Sequence, residues 1–575
     1  MPDGALRSDV VASGESVPAI VSDRMPGQRR AWPGELRVAL CVAVVLSIWI
    51  VGFASRGHFS GDHGAKLAEA DALWASGFQT RALPENTVLD PLGRFFPYGE
   101  LFRMYRGQHQ GIYSIAFCAL VAPAVGLFGK AGIPIIPLVA TWFTLGLTTL
   151  IGRRLGLRPL PIAGALIAVA ALTPIGFYAG QLQEHSVAIA LIAGALVCLT
   201  PDAERPMRPA LAGLLLAAAA IMRPECYCAL PAGGIALVVA RGGRRAPLQL
   251  VRPGLAFAAA AVAVLVPFWL INLATAGVWD TVVGQNHGKP HLPWTGILLL
   301  FGPGAKRAPI AVWAFAAAAV AAGQIAGWTQ HRIARPALEA IAWIAALALL
   351  AWASAAQLNE RTLTGLFATT PLAALALLRR PASPAARHVL VFSAVFAIQV
   401  IALDHSGTAG GLQFGARYLS PLLPGLVLLA FGNADAAIRD GATLAARRSG
   451  RLALAAAIVV TCGTTAVGWR RAETIARDGA AAAEAAATAG PRVIVTRRPW
   501  ESQLLAPLPA GGALLNVNGD PTPLLDQLAA AGVTQIVFVA RGDLTFRLAN
   551  GRVARTLVRY PGWLEVQLFT LDGSP

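Results

Sequence analysis

The sequence predicts an all-α multi-pass membrane protein with a small α/β domain at its C-terminal end. Three observations carry this. Of 575 residues, 56% are hydrophobic and 13% charged, about half the charged share of an ordinary soluble chain. Apolar runs near the length that crosses a bilayer recur along most of the sequence. From residue 491 the pattern changes to short alternating or buried strands and one amphipathic helix.

Taken in order, residues 1–35 are polar and rich in Gly, Pro and Ser, the composition of a disordered cytoplasmic tail. Apolar segments follow at about 36–54, 112–128, 132–151, 160–178, 185–200, 209–222, 226–241, 254–275, 296–328, 336–355, 363–378, 388–404, 418–432 and 451–469. The loops between them are of two kinds. One kind is basic: "GRRLGLRP" (152–159), "RGGRRAP" (241–247), "HRIARP" (331–336), "RRPASPAARH" (379–388) and "RRSGR" (447–451). The other carries His, Asp, Glu, Asn and Tyr, as in "YAGQLQEHS" (178–186), "RPE" (223–225) and "QNHGKPHLPW" (285–294). The two kinds alternate after Gly152. The excess of Arg on cytoplasmic loops then places the first kind inside and the second outside. The expectation is about 13 crossings. One conflict stands at the start. If Arg29 and Arg153 are both cytoplasmic, the three segments between them cannot all cross: either 112–128 does not fully cross, or Arg153 and Arg154 lie outside.

Residues 36–470 form the transmembrane module, with an outer loop at 55–111. Residues 471–490, "RAETIARDGAAAAEAAATAG", read as a helical connector. Residues 491–575 read as the soluble domain, with strands at "RVIVT", "TQIVFVA", "RVARTLVRY" and "WLEVQLFTL" and a helix at "TPLLDQLAAAG" ending at Gly532. This domain lies outside if the crossing count is odd.

The net charge of +17 invites a nucleic-acid partner. The Arg residues sit mainly in short loops between apolar runs, where they set topology, and that reading is excluded. The six Cys lie in or beside apolar segments without metal-ligand spacing.

The densest charge lies directly after the first span. "SRGHFSGDHGAKLAEADALW" (55–74) holds Asp62, His63, Lys66, Glu69 and Asp71 within ten residues. Gly61 and Asp62 suit a helix start. Asp62, Lys66 and Glu69 then share one face, while Ala65, Ala68, Leu73 and Trp74 supply an apolar side. The expectation is a short amphipathic helix lying at the membrane surface. Asp62 is either a helix cap or a working carboxylate.

The layout, with "FSGDHGAKLAEADALWASG" (59–77), "QEHSVAIALIAGAL" (183–196), "MRPECYCALPA" (222–232) and "FGARYLSPLLPGLVLLA" (414–430), resembles the GT-C superfamily of integral-membrane glycosyltransferases. The branch it resembles holds the protein O-mannosyltransferases and the aminoarabinose transferases. That branch often has paired Asp-Glu in its first loop; here Asp62 is followed by His63. The resemblance implies a GT-C-like fold and inverting transfer of a sugar from a polyprenyl phosphate to a hydroxyl of a cell-envelope glycan, lipid or protein. The setting it implies is the outer face of a bacterial inner membrane.

That chemistry needs a carboxylate to take the acceptor proton and cations to hold the phosphate as its charge grows. Asp62 is the candidate base. Lys66, Glu184, His185, Arg223, Lys289 and Arg417 are the candidate contacts to donor phosphate or sugar, with His63, His287 and Tyr418 secondary. Glu225 can pair with Arg223. His287 and His291 flank Lys289, but Pro290 disfavours a helix presenting them to a metal. No metal ligands are assigned, no cofactor is required by the pattern, and a divalent cation (Mg or Mn) stays open. The alternatives are a secondary transporter or flippase of lipid or sugar, and a glycan ligase or polymerase of another superfamily. Charges at span ends, rather than at mid-membrane, favour an interfacial enzyme.

Overall fold

A computed structural model describes residues 34–53, 61–83, 88–201, 207–240, 248–281, 298–301, 363–379, 383–403, 414–415, 417–440, 444–505, 512–541, 555–560 and 564–571, with isolated positions at 321, 341, 348, 355 and 381. The apolar segments expected at 296–328 and 336–355 lie almost wholly outside the described residues. Among those described, seven helices are long and apolar enough to cross a membrane.

Helix α1 (Gly34–Phe53) is followed by α2 (Gly61–Ala75), the helix expected from the charge cluster. A hairpin, β1 (Phe102–Tyr105) and β2 (Gln108–Gly111), pairs Phe102 with Gly111 and Tyr105 with Gln108. Its two-residue turn puts both Arg106 and Gly107 at positive φ, the backbone that matches strand twist. Helices α3 (Ile115–Phe128) and α4 (Ile135–Arg154) come next.

The start of the chain now has one topology. Arg153 Nη2, at the end of α4, sits 3.0 Å from the Glu35 carboxylate at the start of α1. Trp142 Nε1 donates to Ser47 Oγ at 3.0 Å farther along the same pair of helices. The two helices are therefore antiparallel with the basic end of α4 beside the N-terminus of α1. For that to hold, α3 must begin and end on the same side. Its geometry agrees: Pro123 lies inside it, and the chain folds back so tightly that a Cβ at Gly132 would lie 2.0 Å from the Ala124 carbonyl oxygen. Apolar length alone gives the 115–132 segment the look of a span.

Helix α5 (Pro159–Ala171) breaks at Thr173, and the five residues Pro174–Tyr178 form α6. The segment expected as one span at 160–178 is thus two pieces, because Pro174 cannot continue the ladder of α5. Helices α7 (His185–Leu199), α8 (Pro209–Met222), α9 (Ala229–Ala240) and α10 (Leu248–Ala276) follow. The apolar run at 363–378 is not one helix either. It is a single turn at Leu366–Thr369, then a 3-10 stretch at Pro371–Leu377, again divided at a proline. Helices α11 (Pro384–Leu403) and α12 (Leu423–Asp440) complete the bundle. One continuous helix, α13 (Leu444–Thr488), covers both the last apolar segment and the connector.

Beyond α13 stand β3 (Val493–Thr496), α14 (Pro499–Leu505), β4 (Ala513–Asn516), α15 (Thr522–Ala530), β5 (Gln535–Ala540), β6 (Arg555–Tyr560) and β7 (Glu565–Thr570). They form one sheet in the order β4-β3-β5-β7-β6, parallel through β4, β3 and β5 and antiparallel at β7 and β6. Leu524, Leu525 and Leu528 of α15 pack against Val495, Phe538 and Phe569. The sheet docks on α2: Ala65 is buried in one cluster with Ile494, Leu504 and Leu505. A Cβ at Gly64 would lie 1.7 Å from the Gln503 carbonyl oxygen. The sheet and the 55–111 loop are therefore on the same side of the bundle.

Candidate functional site

Helix α2 is not the surface helix with a solvated charged face that its amphipathic pattern predicts. His63, Lys66, Glu69, Leu67, Ala70 and Leu73 are all buried. Leu67, Ala70 and Leu73 pack on Phe117 and Val121 of α3, and the charged face turns inward. Burying isolated charges is expensive. The structure resolves that cost by bringing an opposite charge to each from elsewhere in the sequence.

Arg417 Nη2 binds the Asp62 carboxylate at 2.5 Å. Lys66 forms an ion pair with Glu184, donates to Gln183 Oε1 at 3.2 Å, and lies 4.6 Å over the Tyr113 ring. Glu184 also binds Arg223 Nη1 at 3.0 Å, and Arg223 pairs with Glu225 as well. Three acids and three cations thus form one neutral network. Tyr418 spaces two of the cations: its ring centroid is 5.9 Å from Arg223 and 5.7 Å from Arg417. His185 stacks on Tyr178 at 4.5 Å between centroids, with Arg223 Nη1 2.7 Å from its Nε2. Tyr178 in turn donates its hydroxyl to the Phe414 carbonyl at 2.5 Å, which fixes the loop leading to Arg417. The Gln183 amide nitrogen donates to His63 Nε2 at 2.7 Å.

The segments that supply these groups are helix ends. Arg223 follows α8, where Pro224 stops the helix. Glu184 stands at the N-cap position of α7 with its carboxylate turned to the network, and Arg417 precedes α12. Asp62 is in the first turn of α2. Each side chain enters from a terminus, which is where a charge can reach the bundle edge without crossing lipid.

Within the network, accessibility is uneven. The side chains of Lys66, Arg223 and Glu184 are 0%, 2% and 8% exposed, those of Arg417 and Asp62 13% and 20%. The least buried corner of the network is therefore the Asp62–Arg417 pair. Burial pushes the Asp62 carboxyl up, but Arg417, then Lys66, a hydrogen bond from Tyr113 and His63 more than offset it. The carboxyl is held well below the usual carboxylate range.

Of the residues named from sequence, the structure unites Asp62, His63, Lys66, Glu184, His185, Arg223, Arg417 and Tyr418. Lys289 and His287 lie outside the described residues. Sequence reasoning missed Gln183, Tyr113, Tyr178 and a second buried ion pair, Glu69–Arg81. Arg81 sits in a polar stretch, "QTRALPE", with no periodicity to flag it. Tyr113 stands inside the apolar segment at 112–128, where nothing sets it apart. A further polar group lies close by: Tyr227 donates to Asp280 at 3.0 Å and accepts from Trp269 Nε1 at 3.0 Å. Among the described residues no group of three or more His, Cys, Asp or Glu is placed to hold a metal ion.

No protein-family model matches the chain, and no curated protein matches it in sequence. Solved structures do match. ArnT from Cupriavidus metallidurans in the apo state aligns over 94% of this chain and 98% of its own, at 14% identity and a TM-score of 0.52. The same ArnT bound to undecaprenyl phosphate gives a TM-score of 0.47 at 13% identity over 94% and 98%. The apo oligosaccharyltransferase of Archaeoglobus fulgidus gives 0.48 at 11% identity, over 88% of this chain and 70% of that one. At such identity the apo ArnT likeness establishes architecture and nothing finer: the chain is a multi-pass membrane protein that shares the fold of ArnT.

Proposed function

We propose that the protein is a glycosyltransferase that moves a sugar from a polyprenyl phosphate to a hydroxyl acceptor, with inversion. The carrying observation is the Asp62–Arg417 pair, the accessible corner of an otherwise sealed, charge-neutral network. The fold shared with ArnT, a protein also crystallised with undecaprenyl phosphate, motivates the lipid-phosphate donor.

In the free protein Arg417 keeps Asp62 ionised but a weak base. A donor phosphate is an anion of the same kind and competes for Arg417. Once Arg417 turns to the phosphate, Asp62 loses its strongest stabilising partner and its basicity rises toward that of an ordinary carboxylate. The acceptor oxygen then attacks the anomeric carbon as the bond from that carbon to the phosphate oxygen breaks. The bonding pair leaves with the phosphate, and the acceptor proton passes to Asp62. The phosphate gains one negative charge, which Arg417 and, deeper in, Lys66 and Arg223 absorb. No general acid is needed, because a phosphate is already a good leaving group. Glu184 and Glu225 hold Lys66 and Arg223 in place. His185 and Tyr418 shape the wall beside them, and Lys289 and His287 belong to the loop proposed to line the donor side.

The proposed setting is a bacterial inner membrane crossed about 13 times, with the N-terminus cytoplasmic and the 491–575 domain extracytoplasmic. The acceptor is a cell-envelope glycan, lipid or protein. A transporter is the second reading, and the charges at the membrane edge speak against it. The test is purified protein in sealed liposomes with radiolabelled polyprenyl-phosphate sugars. Covalent transfer to an acceptor, lost in Asp62→Asn while donor binding persists, is the expected result. Accumulation of label inside vesicles without a new glycosidic bond would establish the transporter instead.

A further inference from the structure

In the C-terminal sheet the chain passes from β3 to β4 on one side and then to β5 on the other. That reversal opens a crevice at the carboxyl ends of β3 and β5, where open α/β sheets take their ligands. Here a side chain of the protein fills it. Glu501, 1% exposed, accepts from the backbone nitrogens of Arg497 at 3.0 Å, Arg498 at 2.9 Å and Arg541 at 3.2 Å. The first two follow β3 and the third follows β5. Asp90 does the same beside β4. It is 6% exposed and accepts from the backbone nitrogens of Arg94 and Phe95. The Phe95 carbonyl in turn accepts from the Asn516 nitrogen, at the end of β4, at 2.8 Å. Two buried acids thus take the amides of four arginines, and the residues Arg94, Arg497, Arg498 and Arg541 are all exposed. Among the described residues, Arg94, Arg497 and Arg498 form no ion pair.

The three strand ends are neighbours in one register, with Thr496 opposite both Asn516 and Val539. The arginines therefore line one edge about 10 Å across. That edge adjoins the candidate site: Pro499 packs on Gly99 of the outer loop, and Gln503 meets Gly64 on α2. From the helical rise along α14 and α2, the backbone of Arg498 lies within about 20 Å of that of Asp62. We propose that this arginine row is the docking surface for an anionic glycan acceptor, a chain that carries carboxylates or phosphates along its length. The proposal rests on the reading of the protein as a glycosyltransferase and names the acceptor's chemistry. With Glu501 in the crevice, the strand-end amides are closed to a nucleotide or a free phosphate. What the edge offers is a row of guanidinium groups, which meet carboxylates and phosphates in bidentate pairs. The spacing suits a chain whose end hydroxyl reaches Asp62 while charged units farther along rest on the arginines. The row also lies on the sheet side of α2, away from the bundle, which favours a water-borne chain over a lipid head group.

The test places the full-length protein in phosphatidylcholine nanodiscs and measures binding of a fluorescent oligogalacturonate against a neutral maltooligosaccharide of equal length. Wild type is expected to bind the anionic chain and not the neutral one, and to lose it as salt rises from about 50 to about 500 mM. The double variant Arg497→Gln with Arg498→Gln should bind it about 5- to 30-fold more weakly, the scale of two exposed charge contacts. Its melting temperature should be that of wild type, because both side chains are exposed. Adding Arg94→Gln should weaken binding further. Inorganic phosphate should compete no better than its ionic strength predicts, since the crevice is filled. Equal binding of the two chains by wild type, an unchanged double variant, or saturable competition by phosphate overturns the proposal. So does a melting temperature that the double variant lowers only in nanodiscs containing phosphatidylglycerol, which would turn the row toward lipid. Asp62→Asn separates the two levels, because it should bind the anionic chain as wild type does. If it also transfers sugar normally, the reading of Asp62 fails and the docking row stands. If it is dead while chain binding ignores Arg497 and Arg498, only the docking row fails.

Discussion

The two faces of α2 are built from different materials. The face toward the bundle carries Asp62, Lys66 and Glu69; the first two are matched to charges from distant parts of the chain, the third to Arg81 in the loop after the helix. The face toward the C-terminal sheet carries Gly64, Ala65 and Ala68, and its backbone meets that of Gln503 at van der Waals contact or closer. One face is chemistry and the other is fit. A charged face needs exact partners but tolerates water at its rim, as the exposure of Asp62 shows. A small-residue face has no charge to satisfy and no room for a methyl group. The helix that carries the proposed base is thus clamped from behind by α14 and the C-terminal sheet.

Perturbing one face at a time sharpens the contrast. The largest effect on stability is expected from Glu184→Gln, which leaves Lys66 and Arg223 buried with half their counter-charge. Breaking such a pair costs about 3–5 kcal/mol, readable as a lower melting temperature in detergent. If Glu184→Gln melts like wild type, the network is not sealed as described. Gly64→Ala comes next. Its methyl group meets a carbonyl oxygen rather than a mobile side chain, and such overpacking costs about 1–3 kcal/mol. The expected signature is faster protease cleavage between α13 and α14 together with reduced transfer. Intact docking with full activity would show that the rear face is permissive.

Smaller in stability, because this pair is the least buried of the network, is the effect of Arg417→Gln. In the wild type the depressed Asp62 carboxyl stays ionised until pH falls through its low folded-state value. The kcat/KM limb from this group therefore lies below the ordinary Asp value of about 3.9, and its stabilising contribution is lost only as pH drops that far. Removing Arg417 leaves burial opposed by weaker partners, so the limb moves up in pH, and donor KM rises. An unmoved limb would mean that Arg417 does not govern Asp62. The smallest effect belongs to Arg158→Ala on the opposite membrane edge, where Arg158 pairs with Asp435 in the open. Screened surface pairs contribute little, and no change in transfer or melting is expected.

Much of this was legible in the sequence for a simple reason. Apolar length and loop charge report on the membrane directly, so α1, α4 and the helices from α7 to α12 fell close to their expected bounds. Asp62, Arg223 and Arg417 could be named because each stands at a span or helix end on the outer side, within the stretches that carry the family resemblance. What stayed hidden depends on partners far away in the chain. Nothing within residues 61–75 says whether Lys66 faces water or Glu184, because an amphipathic stripe looks the same beside solvent as beside opposite charges. Arg81 is 12 residues from Glu69 with a helix end between them, a spacing no periodicity marks. Residues 112–132 have the apolar length of a span, and nothing within them foretells the antiparallel pairing of α1 and α4 on either side of them. Prolines 174 and 371 did signal the broken segments, although the apolar runs around them masked the signal.

The central claim is that a carboxylate and a lipid phosphate compete for one guanidinium. Undecaprenyl phosphate binding to wild type and to Asp62→Asn, measured side by side in nanodiscs, tests it most directly. With its competitor neutralised, Arg417 should hold the lipid phosphate about ten-fold tighter or more in the variant, the lower end of what one charge-assisted bond is worth. Equal or weaker binding by Asp62→Asn would contradict the account.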